Sequence, residues 1–234
     1  MRLEQRIATL VFGSLLFAAW AVPTDRMSEA NVAGASERYL ALGDSFTIGT
    51  GTTPDRSFPA ALVTRWAAAG RTVALRNPAV NGYATDDLIR EELPLARDFR
   101  PTLVTLLIGA NDIVRGGSGE KEAQEARYRE RLRTIHAGLA AAGVAPASIV
   151  TLPQPDWSAS PAAAAFGRSA DHARAIERFN AIAKEEAERA GGRYIDIFPL
   201  MREQARRGMV ASDGLHPSAE AYAAWAAELE QRLR

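Results

Sequence analysis

Histidine is scarce in this chain, with three copies in 234 residues, and one of them stands where a base is useful. His216 lies in Ser212-Asp213-Gly214-Leu215-His216-Pro217. Asp213 precedes it by three positions. On one turn of irregular chain that spacing lets a carboxylate reach one imidazole nitrogen, fix the tautomer and stabilise the imidazolium. A base oriented in this way needs a nucleophile, and because the chain has no cysteine, the candidates are hydroxyls. Ser45, in Leu42-Gly43-Asp44-Ser45-Phe46, directly follows a short apolar run. A serine opening a turn into a helix has its own N–H free to point at an oxyanion. Gly82 follows a second apolar run, and a glycine there allows close backbone approach, so its N–H is a second donor. Asn111, in Gly109-Ala110-Asn111-Asp112, follows a third run and offers a side-chain amide. Three donors at one place suit the negative charge of a tetrahedral intermediate. Taken singly, Ser45 also reads as a helix cap, and Asn77-Pro78 and Asn81-Gly82 as turns. Asp44 and Asp112 are expected to brace their loops by accepting backbone N–H bonds. His136 and His172 are expected at the surface or at the edge of the apolar face.

These residues need elements to hold them. Tyr39–Leu42, Thr72–Leu75, Leu103–Ile108, Ser148–Leu152 and Tyr194–Ile197 read as five strands. Between them, Phe58–Ala69 and Asp86–Ala96 read as helices, the second bent or broken at Pro94. Tyr128, Leu132, Ile135, Leu139 and Ala142 mark a helix face, and Gly143 ends it. Asp171–Ala190 is helical, and a last helix carries Tyr222, Trp225, Ala226, Leu229 and Leu233, opened by Pro217. Strands alternating with helices predict a three-layer α/β/α fold on a parallel sheet with right-handed crossovers. Ligands in such sheets bind beyond the carboxyl ends of the strands, which is where Ser45, Gly82 and Asn111 fall. Pro153 to Ala170 is a Pro-, Ser- and Ala-rich loop after the fourth strand, long enough to be functional or mobile.

Gly43-Asp44-Ser45, Gly82, Gly109-Ala110-Asn111-Asp112 and Asp213-Gly214-Leu215-His216 resemble, in order, the four signature blocks of the SGNH/GDSL hydrolase superfamily. They are most similar to its bacterial thioesterase, arylesterase and lysophospholipase group. The resemblance runs from about Glu37 to the C-terminus. It implies a flavodoxin-like five-stranded parallel sheet and a serine esterase of the lipase, lysophospholipase or arylesterase kind. It implies Ser45 as nucleophile, His216 as general base, Asp213 as its orienting acid, and Ser45, Gly82 and Asn111 as the oxyanion hole. It implies neither metal nor cofactor, and a small acyl ester as the partner. One departure is Phe46, where the name-giving motif has leucine. Ile48, Ile113, Val114, Trp157 and Phe166 are candidates for an acyl pocket or lid, and equally for core.

Composition narrows the rivals. Lys+Arg and Asp+Glu are both 28, which argues against a general nucleic-acid binder. Only Lys121 and Lys184 are lysine among the basic residues, so no lone arginine is read as a ligand site. Zero cysteine excludes a Cys nucleophile, a zinc-thiolate site and a disulfide framework. A carbohydrate O-deacetylase on the same scaffold is an alternative. A metal-dependent phosphoesterase would draw on Asp44, Asn111, Asp112, Asp213 and His216, but only one histidine lies in a motif. A non-catalytic binding protein would have to keep every catalytic position filled. At the start of the chain, Arg2 and Arg6 precede the apolar run Ile7 to Val22, and Ala19-Trp20-Ala21 supplies small exit residues. As a helix that run would span about 24 Å, short of the roughly 30 Å hydrocarbon core. Residues 1–21 therefore read as a signal peptide, or else as an uncleaved anchor, and 22–36 as a linker before a hydrolase domain over 37–234. The expected location is secreted or periplasmic.

Overall fold

A computed structural model describes residues 37–116 and 121–233. The expected export segment and linker lie outside the described residues. Among those described, no helix is long and apolar enough to cross a membrane.

The strands are β1 (Glu37–Gly43), β2 (Val73–Arg76), β3 (Leu103–Leu107), β4 (Ile149–Thr151) and β5 (Arg193–Tyr194). The helices are α1 (Ser45–Ile48), α2 (Phe58–Ala68), α3 (Thr85–Glu91), α4 (Leu95–Phe99), α5 (Ala110–Gly116), α6 (Lys121–Ala141), α7 (Ser169–Arg189), α8 (Phe198–Arg206) and α9 (Ala219–Arg232). The strands form one sheet in the order β2-β1-β3-β4-β5, and all four pairings are parallel. That is the expected flavodoxin-like order. β1 and β3 are the central, buried strands, which is why they read as continuous apolar runs rather than alternating ones. Helix α2 packs on α9, while α6 packs on α7 and α3, giving the two helical layers. In the first, Trp66 meets Tyr39 edge-on at 5.8 Å and Phe58 lies 6.0 Å from Trp225. In the second, Tyr128 and Phe179 stack at 4.2 Å.

Three expectations are corrected. β5 stops at Tyr194 instead of reaching Ile197, because β4 ends at Thr151 and the last ladder bond runs from Ile195 N–H to Thr151 O. Asp196 then accepts the Phe198 N–H at 2.9 Å, just ahead of α8, a helix additional to those expected. The helix over Asp86–Ala96 is broken at Pro94 as expected, into α3 and α4, since the proline ring nitrogen has no N–H to carry the ladder. Helix α9 begins after Ser218, whose Oγ accepts the Ala221 N–H at 3.3 Å, so Pro217 precedes it. His136 is buried on the inner face of α6, not at its surface.

Candidate active site

The first piece is the turn after β1. Buried strand residues run to Gly43, and Asp44 caps α1, its Oδ1 accepting the Phe46 N–H at 3.0 Å. Ser45 is thereby the first residue of a one-turn helix whose backbone N–H end faces off the sheet. Gly43 has no substitute here, since a Cβ would collide with Thr47 Oγ1 and the Leu107 carbonyl where α1 folds back over the strand ends.

The second piece comes from the segments after β2 and β3. Tyr83 N–H bonds to Val80 O at 3.2 Å, closing a turn in which Gly82 sits at φ 86°. That backbone favours glycine. A Cβ at Gly82 would meet nothing within 4 Å, so this glycine borders open space. Asn111, in the first turn of α5, donates one Nδ2 hydrogen to Tyr83 O at 2.9 Å. The bond fixes the amide's orientation and leaves its second N–H available. Arg115 donates to Gly82 O and to Asp87, both at 2.7 Å. Asp112 accepts from Thr85 N at 3.0 Å and Thr85 Oγ1 at 2.5 Å, the bracing role expected of it.

The third piece is the loop before α9. Asp213 Oδ1 accepts the N–H groups of Leu215 at 2.9 Å and His216 at 3.0 Å, and its Oδ2 lies 2.7 Å from His216 Nδ1. An ionised carboxylate only accepts, so Nδ1 carries a proton, and in the neutral ring this leaves Nε2 as the acceptor. The loop after β4 clasps this one: Ala162 N–H donates to Gly214 O at 3.0 Å and Ser160 Oγ to Leu215 O at 3.2 Å. His216 is buried, with Asp213 Oδ2 on one side and the Phe46 ring, 5.2 Å between centroids, on another.

Cross-links tie the pieces together. Asn77 Nδ2 donates to Thr47 O at 2.9 Å, joining the β2 segment to α1. Tyr222 OH donates to Thr50 O at 3.3 Å, joining α9 to the chain that leaves α1. Ser45, Gly82 and Asn111 thus stand on adjoining strand ends, and His216 packs on the residue next to Ser45. Of the candidate pocket residues, Ile113 is in the core and Ile48 and Val114 are half-buried. Trp157 is buried, and its ring meets the exposed Phe166 edge-on at 6.1 Å. Trp157, Phe46, Ser160, Leu215 and Met201 line an apolar cavity of about 20 Å³ beside the His216 loop.

The carboxylates divide by environment. Burial pushes Asp44 up to about 8, its bond from Phe46 N–H working the other way. Burial likewise pushes Glu92 up to about 8 against the Gly43 N–H. Burial raises Asp112 too, against its Thr85 bonds. Asp213 goes the other way: burial raises it, but the Leu215 and His216 N–H groups and the His216 ring outweigh that and leave it below the usual carboxylate value. Among the described residues, no three carboxylate or imidazole side chains converge on a point that would hold a metal ion. Glu92 and Ser160 carry no expectation from the sequence, and Asn77 reads there only as part of a turn. Glu92 carries the only usable signal, standing four residues after the fully buried Leu88 and so on the same helix face.

The model of the GDSL-like lipase/acylhydrolase family matches residues 41–224. No curated protein matches by sequence. Solved structures do. The lipase/acylhydrolase from Enterococcus faecalis is 20% identical, with 84% of this chain and 95% of that one covered at a TM-score of 0.66. Phospholipase A1 from Streptomyces albidoflavus NA297 is 21% identical, with 84% and 99% covered at 0.61. A variant of the acetyl-xylooligosaccharide esterase Axe2 from Geobacillus Stearmophilus is 18% identical, with 86% and 95% covered at 0.64. At these identities the likeness carries the fold.

Proposed function

This chain belongs to the GDSL-like lipase/acylhydrolase family and is a carboxylic ester hydrolase, and on that premise we propose that it works as a serine esterase through Ser45, His216 and Asp213. Ser45 Oγ attacks the acyl carbonyl while His216 Nε2 takes its proton. The Ser45 and Gly82 N–H groups and the free Asn111 amide hydrogen receive the oxyanion. Collapse of the tetrahedral intermediate breaks the ester bond, and His216 returns the proton to the leaving alcohol. Water then attacks the acyl-enzyme, losing its proton to His216, and the acid leaves as Ser45 Oγ is reprotonated. The observation that supports this most is the Asp213–His216 pair: two backbone N–H groups hold the carboxylate, and its bond to Nδ1 fixes the tautomer that leaves Nε2 as acceptor, with the ring packed on the residue that follows Ser45. No step calls on a metal or cofactor.

A fluorophosphonate should label Ser45, and Ser45→Ala should abolish labelling and leave a residual rate only about 10³ to 10⁴ over water. Ester turnover unchanged in that variant would overturn the reading.

For substrate, we propose acyl esters of the lipolytic or arylesterase kind, handled outside the cytoplasm on the strength of the export-like segment 1–21. One feature favours a second reading as carbohydrate O-deacetylase. It is the likeness, at 18% identity, to an acetyl-xylooligosaccharide esterase. A series of p-nitrophenyl esters separates them, since acetate preferred over octanoate points to the deacetylase.

A further inference from the structure

Strand β2 pairs with β1 only as far as Leu40 opposite Arg76, whereas β1 runs on to Gly43, opposite Leu107 of β3. Beyond Leu40 the β2 side of β1 has no strand to bond to. The Gly43 N–H is met there by a side chain: Glu92 Oε2 accepts it at 2.9 Å. Glu92 sits at the end of α3, its own N–H bonded to Leu88 O, and its side chain is buried. Its other oxygen, Oε1, is buried without a partner, and so is Asp44 Oδ2 on the neighbouring residue. Among the described residues neither carboxyl is paired with an arginine, lysine or histidine. Glu186, the other buried glutamate, shows the contrast, with Arg129, Arg133 and Arg189 all bonded to it. Asp112 is a further negative group acting on Asp44, and Asp44 in turn acts on Glu92, while Tyr83, Tyr128 and Tyr222, which the pair's own charge pushes up, stay neutral phenols. None of these supplies a positive charge. Two buried carboxylates without a cation are not sustained in apolar surroundings, and such groups neutralise instead.

We propose that Glu92 is a positioning residue for the nucleophile turn and works as a neutral acid, the Glu92–Asp44 pair keeping at least one proton at neutral pH and holding the end of β1, and with it Ser45, in place. The inference rests on Ser45 being the nucleophile. Loss of the proton sets two like charges against each other at the two residues that precede Ser45, so the turn loosens as pH rises. The fully deprotonated pair would need a cation, and no arginine, lysine or histidine among the described residues is paired with it.

The test is the pH dependence of Ser45 phosphonylation and of kcat/KM in wild type, Glu92→Gln and Glu92→Ala. Glutamine keeps an acceptor for the Gly43 N–H and cannot ionise. Its kcat/KM at pH 7 should stay within about threefold of wild type, because no buried polar group loses its bond. Wild type should lose rate above about pH 8, and the glutamine variant should not. Alanine should cost about 10- to 100-fold, the scale of a small displacement of a reacting group. Glutamine falling as far as alanine, or keeping the wild-type alkaline limb, overturns the proposal. If Glu92→Ala fails to fold by circular dichroism, the alkaline limb of Glu92→Gln decides by itself. Wild type that is not labelled at Ser45 would instead sink the nucleophile assignment, so the two failures are told apart.

Discussion

Asp44 and Asp213 are the same residue type a short distance apart in the site, and the fold treats them oppositely. Asp44 is fully buried at the end of the central strand, accepts one backbone N–H and is pushed up to about 8 by burial. Asp213 is on an exposed loop, accepts two backbone N–H groups and the His216 ring, and is held below the usual value in spite of its own partial burial. The half of the site proposed to carry the nucleophile is built on the sheet, where Asp44 and Glu92 are buried and Glu92 accepts the Gly43 N–H. The acid–base half is built on a surface loop and braced by hydrogen bonds from the segment after β4. A carboxyl that must stay charged is given donors, and one that only caps and packs is left in apolar surroundings.

The sharpest way to break this contrast is one substitution at both positions. Asp213→Asn should lower kcat about 10⁴-fold, because an amide favours the wrong imidazole tautomer. Asp44→Asn should lower it by less than about tenfold, since asparagine caps a helix as well as aspartate does. Equal losses in steady-state assays would erase the distinction. A smaller effect is expected on the loop that holds the base. Ser160→Ala removes the bond to Leu215 O and should lower kcat several-fold with KM little changed. An unchanged kcat would mean that the clasp does not orient His216. The smallest effect is on stability against pH. Raised carboxyls such as Asp44 and Glu92 favour the folded state below their unfolded pKa, and that advantage is lost as pH rises towards about 8. Asp213, being lowered, contributes only above its unfolded pKa and loses that contribution in acid. Tm should therefore fall from pH 5 to pH 8 in wild type, fall less in Asp44→Asn, and keep its wild-type slope in Asp213→Asn. The same slope in all three proteins would show that Asp44 ionises freely.

Much of the site was legible because its chemistry is local. Asp213 and His216 are three residues apart, and their mutual bond needs no more than the turn they form. Ser45, Gly82 and Asn111 each follow an apolar run, and a parallel sheet brings such ends to one edge. Glu92 was hidden because it sits beside Glu91 near the end of an amphipathic helix, where charge reads as solvated. His136 was misjudged because its helix face is wider than the apolar residues that marked it. The end of β5 was overread because Ile195 and Ile197 are buried without being paired.

The sequence by itself determined the sheet's order of apolar runs, the residue types at the site and the pairing of Asp213 with His216. These depend on contacts a few residues long or on periodicity that burial imposes. The tertiary structure decided the rest: that β2 stops short of the end of β1, that Glu92 reaches across 49 positions to bond Gly43, and that the segment after β4 holds the His216 loop. The physical reason is that burial sets whether a carboxyl is charged or neutral, and burial belongs to the packed elements around a residue rather than to its neighbours in the chain.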